Sequence, residues 1–149
     1  MTPGAVRGTS LTLAQAQELV HFCLRAPTWL PRNISFVGVI AELPPQIGNS
    51  SVIPPPTHVT LYYGTSNTSA ALSQPIGFEI DETSFTLNSK YRGAIETELV
   101  LAGKRVTRVA VSNTVEYFWR HLGVSFMLHQ SGGGKIPDRE LEHVIASIP

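Results

Sequence analysis

Ile95-Glu96-Thr97-Glu98-Leu99-Val100-Leu101-Ala102-Gly103-Lys104-Arg105-Val106-Thr107-Arg108-Val109-Ala110-Val111 is the stretch that decides the fold class. Ile95 to Ala102 and Arg105 to Val111 are two runs rich in β-formers, and Gly103-Lys104 between them is a hairpin signal. A hairpin makes its two strands antiparallel neighbours. Further strands are expected on both sides. Ile34 to Leu43 reads as a buried strand stopped by Pro44-Pro45, and Val124 to Leu128 as a strand that delivers His129. Ile76 to Ile80 and Ser84 to Leu87 read as two short strands separated by Asp81-Glu82.

Helical spacing is confined to a few places. Thr12 with Gln15 makes a capping box, and behind it Leu13, Ala16, Leu19, Val20, Cys23 and Leu24 repeat at helical intervals until Pro27. A short helix is expected near Ala70 to Leu72. Another is expected over Val115 to Leu122, with Thr114 as N-cap and Gly123 as its C′ stop. Asp138 caps a last helix whose apolar positions are Leu141, Val144, Ile145 and Ile148. Strands outnumber helices and hairpin connections dominate, so the class is α+β with mainly antiparallel sheet.

A chain of 149 residues suits one domain, or two small lobes sharing one core. Residues 1–10 are expected to form a loose arm before that domain. Formal net charge is +0 at pH 7. Proteins that grip long duplex nucleic acid carry a basic excess, because that affinity comes from neutralising phosphates, so neutrality favours a small ligand or a short oligonucleotide. Cys23 is the single cysteine, which excludes an internal disulfide and a cysteine-rich zinc site; its helical, apolar setting predicts a buried, inert thiol. The first residues lack the apolar core of a signal peptide, and no apolar run is long enough to span a bilayer. These features predict an intracellular protein that acts as a monomer away from membranes.

The chemistry-bearing motif is Pro54-Pro55-Pro56-Thr57-His58-Val59-Thr60-Leu61-Tyr62-Tyr63-Gly64. On a strand His58, Thr60 and Tyr62 face one way, and Val59, Leu61 and Tyr63 the other. An imidazole then stands beside a hydroxyl on one surface, with apolar groups anchoring the opposite one. A second His-x-Ser follows as His129-Gln130-Ser131, ahead of the turn Gly132-Gly133-Gly134-Lys135.

His58-Val59-Thr60-Leu61 resembles the signature of the two-histidine (2H) phosphoesterases, a superfamily that includes LigT-like RNA cyclic phosphodiesterases. The resemblance spans the organisation of the chain from Ile34 onward, and the tetrapeptide itself in sequence. It implies two pseudo-symmetric lobes of antiparallel sheet, flanked by helices, that face each other across a central cleft. It implies a metal-independent, cofactor-free phosphodiesterase acting on a small nucleotide substrate: a 2′,3′-cyclic phosphate, a 2′,5′-linked oligonucleotide or a cyclic nucleotide. His58 and His129 would then be the acid/base pair, since imidazoles titrate near neutrality. Thr60 and Ser131 would donate to non-bridging phosphate oxygens. Tyr62 would line the pocket or stack on a base, or else be an amphipathic sheet-edge residue. Lys135 would reach a phosphate, or else be a solvated turn lysine.

Other constellations fare worse. Gly123-Val124-Ser125-Phe126-Met127 lacks the second glycine of a nucleophile elbow, there is no H-E-x-x-H, and the acidic residues are scattered along the sequence. The alternative from another class is a non-catalytic nucleotide-binding or structural domain in which His58 only hydrogen-bonds. A degenerate phosphoesterase that binds without cutting lies between the two. Geometry separates these readings. Catalysis needs both rings on a shared cleft, on the order of 5–8 Å apart, with the hydroxyls converging.

Overall fold

The computed structural model describes residues 5–42, 57–65, 77–85, 87, 94–111, 114–131 and 136–149. They form β1 (Ala5–Leu11), α1 (Leu13–Leu19), β2 (Ser35–Glu42), β3 (His58–Gly64), β4 (Gly77–Thr83), β5 (Ile95–Leu101), β6 (Lys104–Val111), β7 (Thr114–His121), β8 (Val124–Ser131) and α2 (Asp138–Ser147). The strands make one eight-stranded antiparallel sheet in the order β1-β2-β3-β4-β8-β7-β6-β5. β1 to β4 and β5 to β8 are thus two successive meanders joined where β4 lies beside β8. The α+β class and the antiparallel sheet agree with the sequence. The two histidine motifs, however, lie in a single continuous sheet and not in two sheets facing each other.

Alternation sorts the sheet residues into two faces. One face carries Val39, Ala41, Val59, Leu61, Phe78, Ile80, Phe126, Leu128, Tyr117, Trp119 and Val106, all buried and all in one apolar cluster with Leu141, Val144 and Ile145 of α2, its C-cap Ile148, and Ala16 of α1. Polar links fix α2 on that face. Arg108 donates to Asp138 at 2.6 Å in the first turn of α2, and the Tyr117 hydroxyl donates to Glu142 at 3.1 Å. The segment after α1 is tied to the other end of the helix. The backbone N–H groups of Thr28 and Trp29 both donate to the Ser147 hydroxyl at 3.1 Å, and the Trp29 ring stacks on His143 with centroids 3.9 Å apart.

Several expectations hold in detail. The Thr12–Gln15 capping box is complete, with the Thr12 N–H donating to the Gln15 side chain at 2.9 Å and the Gln15 N–H to the Thr12 hydroxyl at 3.1 Å. The last helix spans Leu141, Val144 and Ile145, with Ile148 just beyond it as the C-cap, Pro137 at the N-cap and Asp138 as the first helical residue.

Others are corrected. The helix expected over Val115 to Leu122 is strand β7, because Val115, Tyr117 and Trp119 alternate with Glu116, Phe118 and Arg120 at a period of two. Leu122 and Gly123 both have positive φ (50° and 81°), so the glycine serves a tight hairpin turn and not a helix stop. The neighbouring hairpin turns in the same way at Ala102 and Gly103 (φ 50° and 82°), one residue before the position expected. Ala5 to Ser10, within the expected loose arm, belong to β1. Helix α1 stops at Leu19, where the Gln17 amide takes over the turn: it donates to the Phe22 carbonyl at 2.8 Å and accepts from the Leu24 N–H at 2.7 Å. Cys23 therefore leaves the helical face and is exposed, not buried. Asp81-Glu82 does not break the chain, since β4 runs through both. The helix expected near Ala70 to Leu72 falls outside the described residues.

Gly77 opposes Gly64 at the start of β4. A Cβ built on Gly77 would overlap the Tyr63 carbonyl oxygen, a backbone atom of β3 that cannot swing away. Gly77→Ala is therefore expected to lower stability by about 3 kcal/mol, the upper end for overpacking. Urea unfolding reads this as a lower midpoint at unchanged slope.

Candidate functional site

The face opposite the helices is polar, and every candidate residue with a described side chain lies on it. The cross-strand register sets Glu42 beside His58, Thr60 beside Asp81, Tyr62 beside Glu79, Glu79 beside His129 and His129 beside Glu116. Carboxylates therefore alternate with the two histidines across five strands. Thr60, Asp81 and Glu116 are buried, while His58, Tyr62, Glu79 and His129 are half-buried.

His58 is held from both sides. Its Nε2–H donates to Asp81 Oδ1 at 3.0 Å, and its Nδ1 lies 3.5 Å from a Glu42 carboxylate oxygen. The hydrogen bond to Asp81 raises its pKa above the ordinary 6.5, burial opposes that, and the charges of Asp81, Glu42 and Glu79 add to the rise. Thr60 donates its hydroxyl to the same Asp81 oxygen. Asp81 thus gathers both side chains of the His-x-Thr motif. Burial first, and then the like charges of Asp81 and Glu116, push the Glu79 carboxyl above its ordinary pKa, with His129 and His58 pulling the other way.

His129 pairs with Glu116, Nδ1 to Oε2 at 3.6 Å, on the side away from His58. The two histidines are next-but-one neighbours across β4, but His58 opposes Thr83 and His129 opposes Glu79, four positions apart along it. With ordinary strand rise and spacing their Cα atoms are roughly 16 Å apart. His129 leans toward β7, so its ion pair widens the gap. Ser131 ends β8 opposite Gly77, and its side chain lies outside the described residues, as does Lys135 with the glycine turn. Tyr62 stands on the His58 face, directly opposite Glu79.

The carboxylates around the histidines are not evident from the sequence. Glu79 and Asp81 alternate with Phe78 and Ile80, which is a strand signal, but the Asp81-Glu82 dipeptide reads as a break. Glu42 and Glu116 are distant in sequence and meet the histidines only through cross-strand register. Among the described residues no group of three or more His, Cys, Asp or Glu side chains is arranged to hold a metal ion. Among them, too, no helix is long and apolar enough to cross a membrane.

The charge state of His58 is directly testable. A folded pKa above 6.5 means that the Asp81 contact stabilises the fold fully below about pH 6.5, and that this contribution is lost as pH rises through the folded value. An NMR titration of the His58 ring is expected to show a midpoint above 6.5, and Asp81→Asn to bring it down. An unchanged midpoint in Asp81→Asn would refute the assignment.

No protein family, curated protein or solved structure matches the chain.

Proposed function

We propose that this chain is a non-catalytic interaction domain whose histidine–carboxylate face is a structural and recognition surface. The observation that carries the reading is the occupancy of the His-x-Thr motif: both ring nitrogens of His58 meet carboxylates, and the Thr60 hydroxyl is donated to Asp81. A general base needs a free lone pair aimed at substrate, and a phosphate-binding hydroxyl needs its proton free. The Thr60 proton is committed to Asp81, and Nδ1, the one His58 nitrogen not hydrogen-bonded to Asp81, has the Glu42 carboxylate 3.5 Å away. A phosphate placed there would also meet Glu42, Asp81 and Glu79, whose negative charge opposes it at short range.

The two-histidine phosphodiesterase is the second reading, favoured by one observation: His58 and His129 share a face of the same sheet with a carboxylate, Glu79, within electrostatic reach of both. It requires the rings to converge on one phosphodiester and the two meanders to act as paired lobes. The strand order does read alike from either edge, matching β3 with β7 and β4 with β8. His58 and His129 then sit on non-corresponding strands, which weakens the symmetric pairing that such a site uses.

The test is hydrolysis of 2′,3′-cyclic nucleotides, 2′,5′-linked oligoadenylate and cyclic dinucleotides in EDTA, with His58→Ala and His129→Ala alongside. No turnover above that of the two variants is expected. Hydrolysis by the unsubstituted protein that both substitutions abolish would overturn the interaction-domain reading and establish the phosphodiesterase.

A further inference from the structure

The interaction-domain reading leaves open where a partner would attach, and the sheet offers one well-formed place. β5 is the last strand in the sheet order, and among the described residues it pairs only with β6. Its register with β6 is unbroken over all seven residues, from Ile95 opposite Ala110 to Leu101 opposite Lys104. An edge strand carries a row of backbone donors and acceptors, and proteins protect such edges with prolines, charged side chains or bulges. Ile95-Glu96-Thr97-Glu98-Leu99-Val100-Leu101 has no proline, lysine or bulge, and its two charges, Glu96 and Glu98, are of one sign, so they repel an acidic strand and attract a basic one. Instead Ile95 is 69% and Val100 72% exposed, among the largest apolar exposures described.

The other edge differs. β1 meets β2 with a shift of register between Val6 and Leu11, an irregularity that makes a poorer template.

Charge determines what fits. Glu96 and Glu98 are exposed on the polar face of β5, and Glu98 is held there by the Thr107 hydroxyl, which donates to it at 2.7 Å. Leu99 and Leu101 lie on the other face, against the core. A second copy of this strand is a poor occupant in the register of fullest overlap. Antiparallel self-pairing centred on Thr97 sets Glu96 against Glu98 of the other copy, and centring on Glu98 sets that residue against itself. A parallel pair in register opposes both. Like charges directly opposite across strands are destabilising.

We propose that β5 is a strand-addition site for an extended, basic segment of a partner protein, in which lysine or arginine alternates with β-branched residues. The added strand takes backbone hydrogen bonds from the β5 edge, sets its cations against Glu96 and Glu98, and lays its apolar side chains alongside Leu99 and Leu101. The proposal rests on the interaction-domain reading but uses neither histidine.

The probe is a fluorescent octapeptide of alternating lysine and valine, with one of alternating glutamate and valine as the control. The lysine peptide is expected to bind and to slow amide hydrogen exchange within Ile95–Leu101, and Glu96→Lys/Glu98→Lys is expected to weaken it by about tenfold or more through charge reversal. Both substituted residues are exposed, and an unchanged thermal melt of the double variant verifies its fold. Equal binding of the glutamate peptide, no binding of the lysine peptide, or binding without added protection of β5 would each overturn the proposal. So would concentration-dependent dimerisation that protects β5, which would make the occupant a second copy. Histidine-dependent hydrolysis in the phosphodiester assay would sink the interaction-domain reading while leaving the exchange result to judge the edge, so the two failures are distinguishable.

Discussion

Glu82→Gln is expected to make the protein more stable in alkali, by about 4 kcal/mol at pH 9, and to leave its stability at pH 5 nearly unchanged. Glu82 follows Phe78 and Ile80 on the core face of β4 and is fully buried. One carboxyl oxygen accepts the Arg25 backbone N–H at 2.9 Å, and the other is buried without a hydrogen-bond partner among the described groups. Burial pushes its pKa from 4.5 up to about 8, against the smaller pull of Arg25. Between those values the folded protein holds a proton that the unfolded chain has released. Stability therefore falls as pH rises through that window, and below it the acid is neutral in both states and costs nothing extra. A glutamine amide imitates the protonated acid: its oxygen still accepts from Arg25, and its NH2 takes the place of the carboxyl OH. Denaturant midpoints across pH 5 to pH 9, read for both proteins, would check this. Parallel pH dependences for the two would show that Glu82 is ionised in the fold and that the assignment is wrong.

Glu82 also shows what the sequence can and cannot convey. Its parity on β4 is plain once the strand is known, yet an acidic dipeptide inside an apolar alternation reads as a boundary. The hairpin of β5 and β6, the strand of His58 and the last helix were legible because periodicity and turn chemistry agree there. The partners of His58 were not. Glu42 and Asp81 reach it through the registers of β2 with β3 and β3 with β4, and register is a tertiary property set by how the apolar faces align. A sequence shows which groups are present and not which are already engaged, so the contacts of His58 and Thr60 with Asp81 are not legible in the motif. Cys23 illustrates the same limit at smaller scale, since one glutamine side chain ends α1 early and turns the thiol outward.

Strand β7 supplies the other large effect. Tyr117 is fully buried, with its hydroxyl on Glu142 of α2, and Trp119 is 5% exposed and stacks on Phe126 at 5.1 Å between ring centroids. Phe118, between them, points to the polar face and is only half-buried. Tyr117→Ala and Trp119→Ala should each cost about 3–5 kcal/mol, the range for removing a buried aromatic side chain. Phe118→Ala should cost roughly 1–2 kcal/mol, since less apolar surface returns to water. Tyr117→Phe isolates the hydroxyl and should cost about 1 kcal/mol, the usual worth of one hydrogen bond. The alternation is what matters. A helix over these residues would group Val115, Phe118, Trp119 and Leu122 on one side and leave Tyr117 off it. Phe118→Ala would then rank with Trp119→Ala, and Tyr117→Ala would be mild. Large, small, large along 117, 118 and 119 is the signature of a strand whose odd positions form the floor under α2, and any other order would refute that packing.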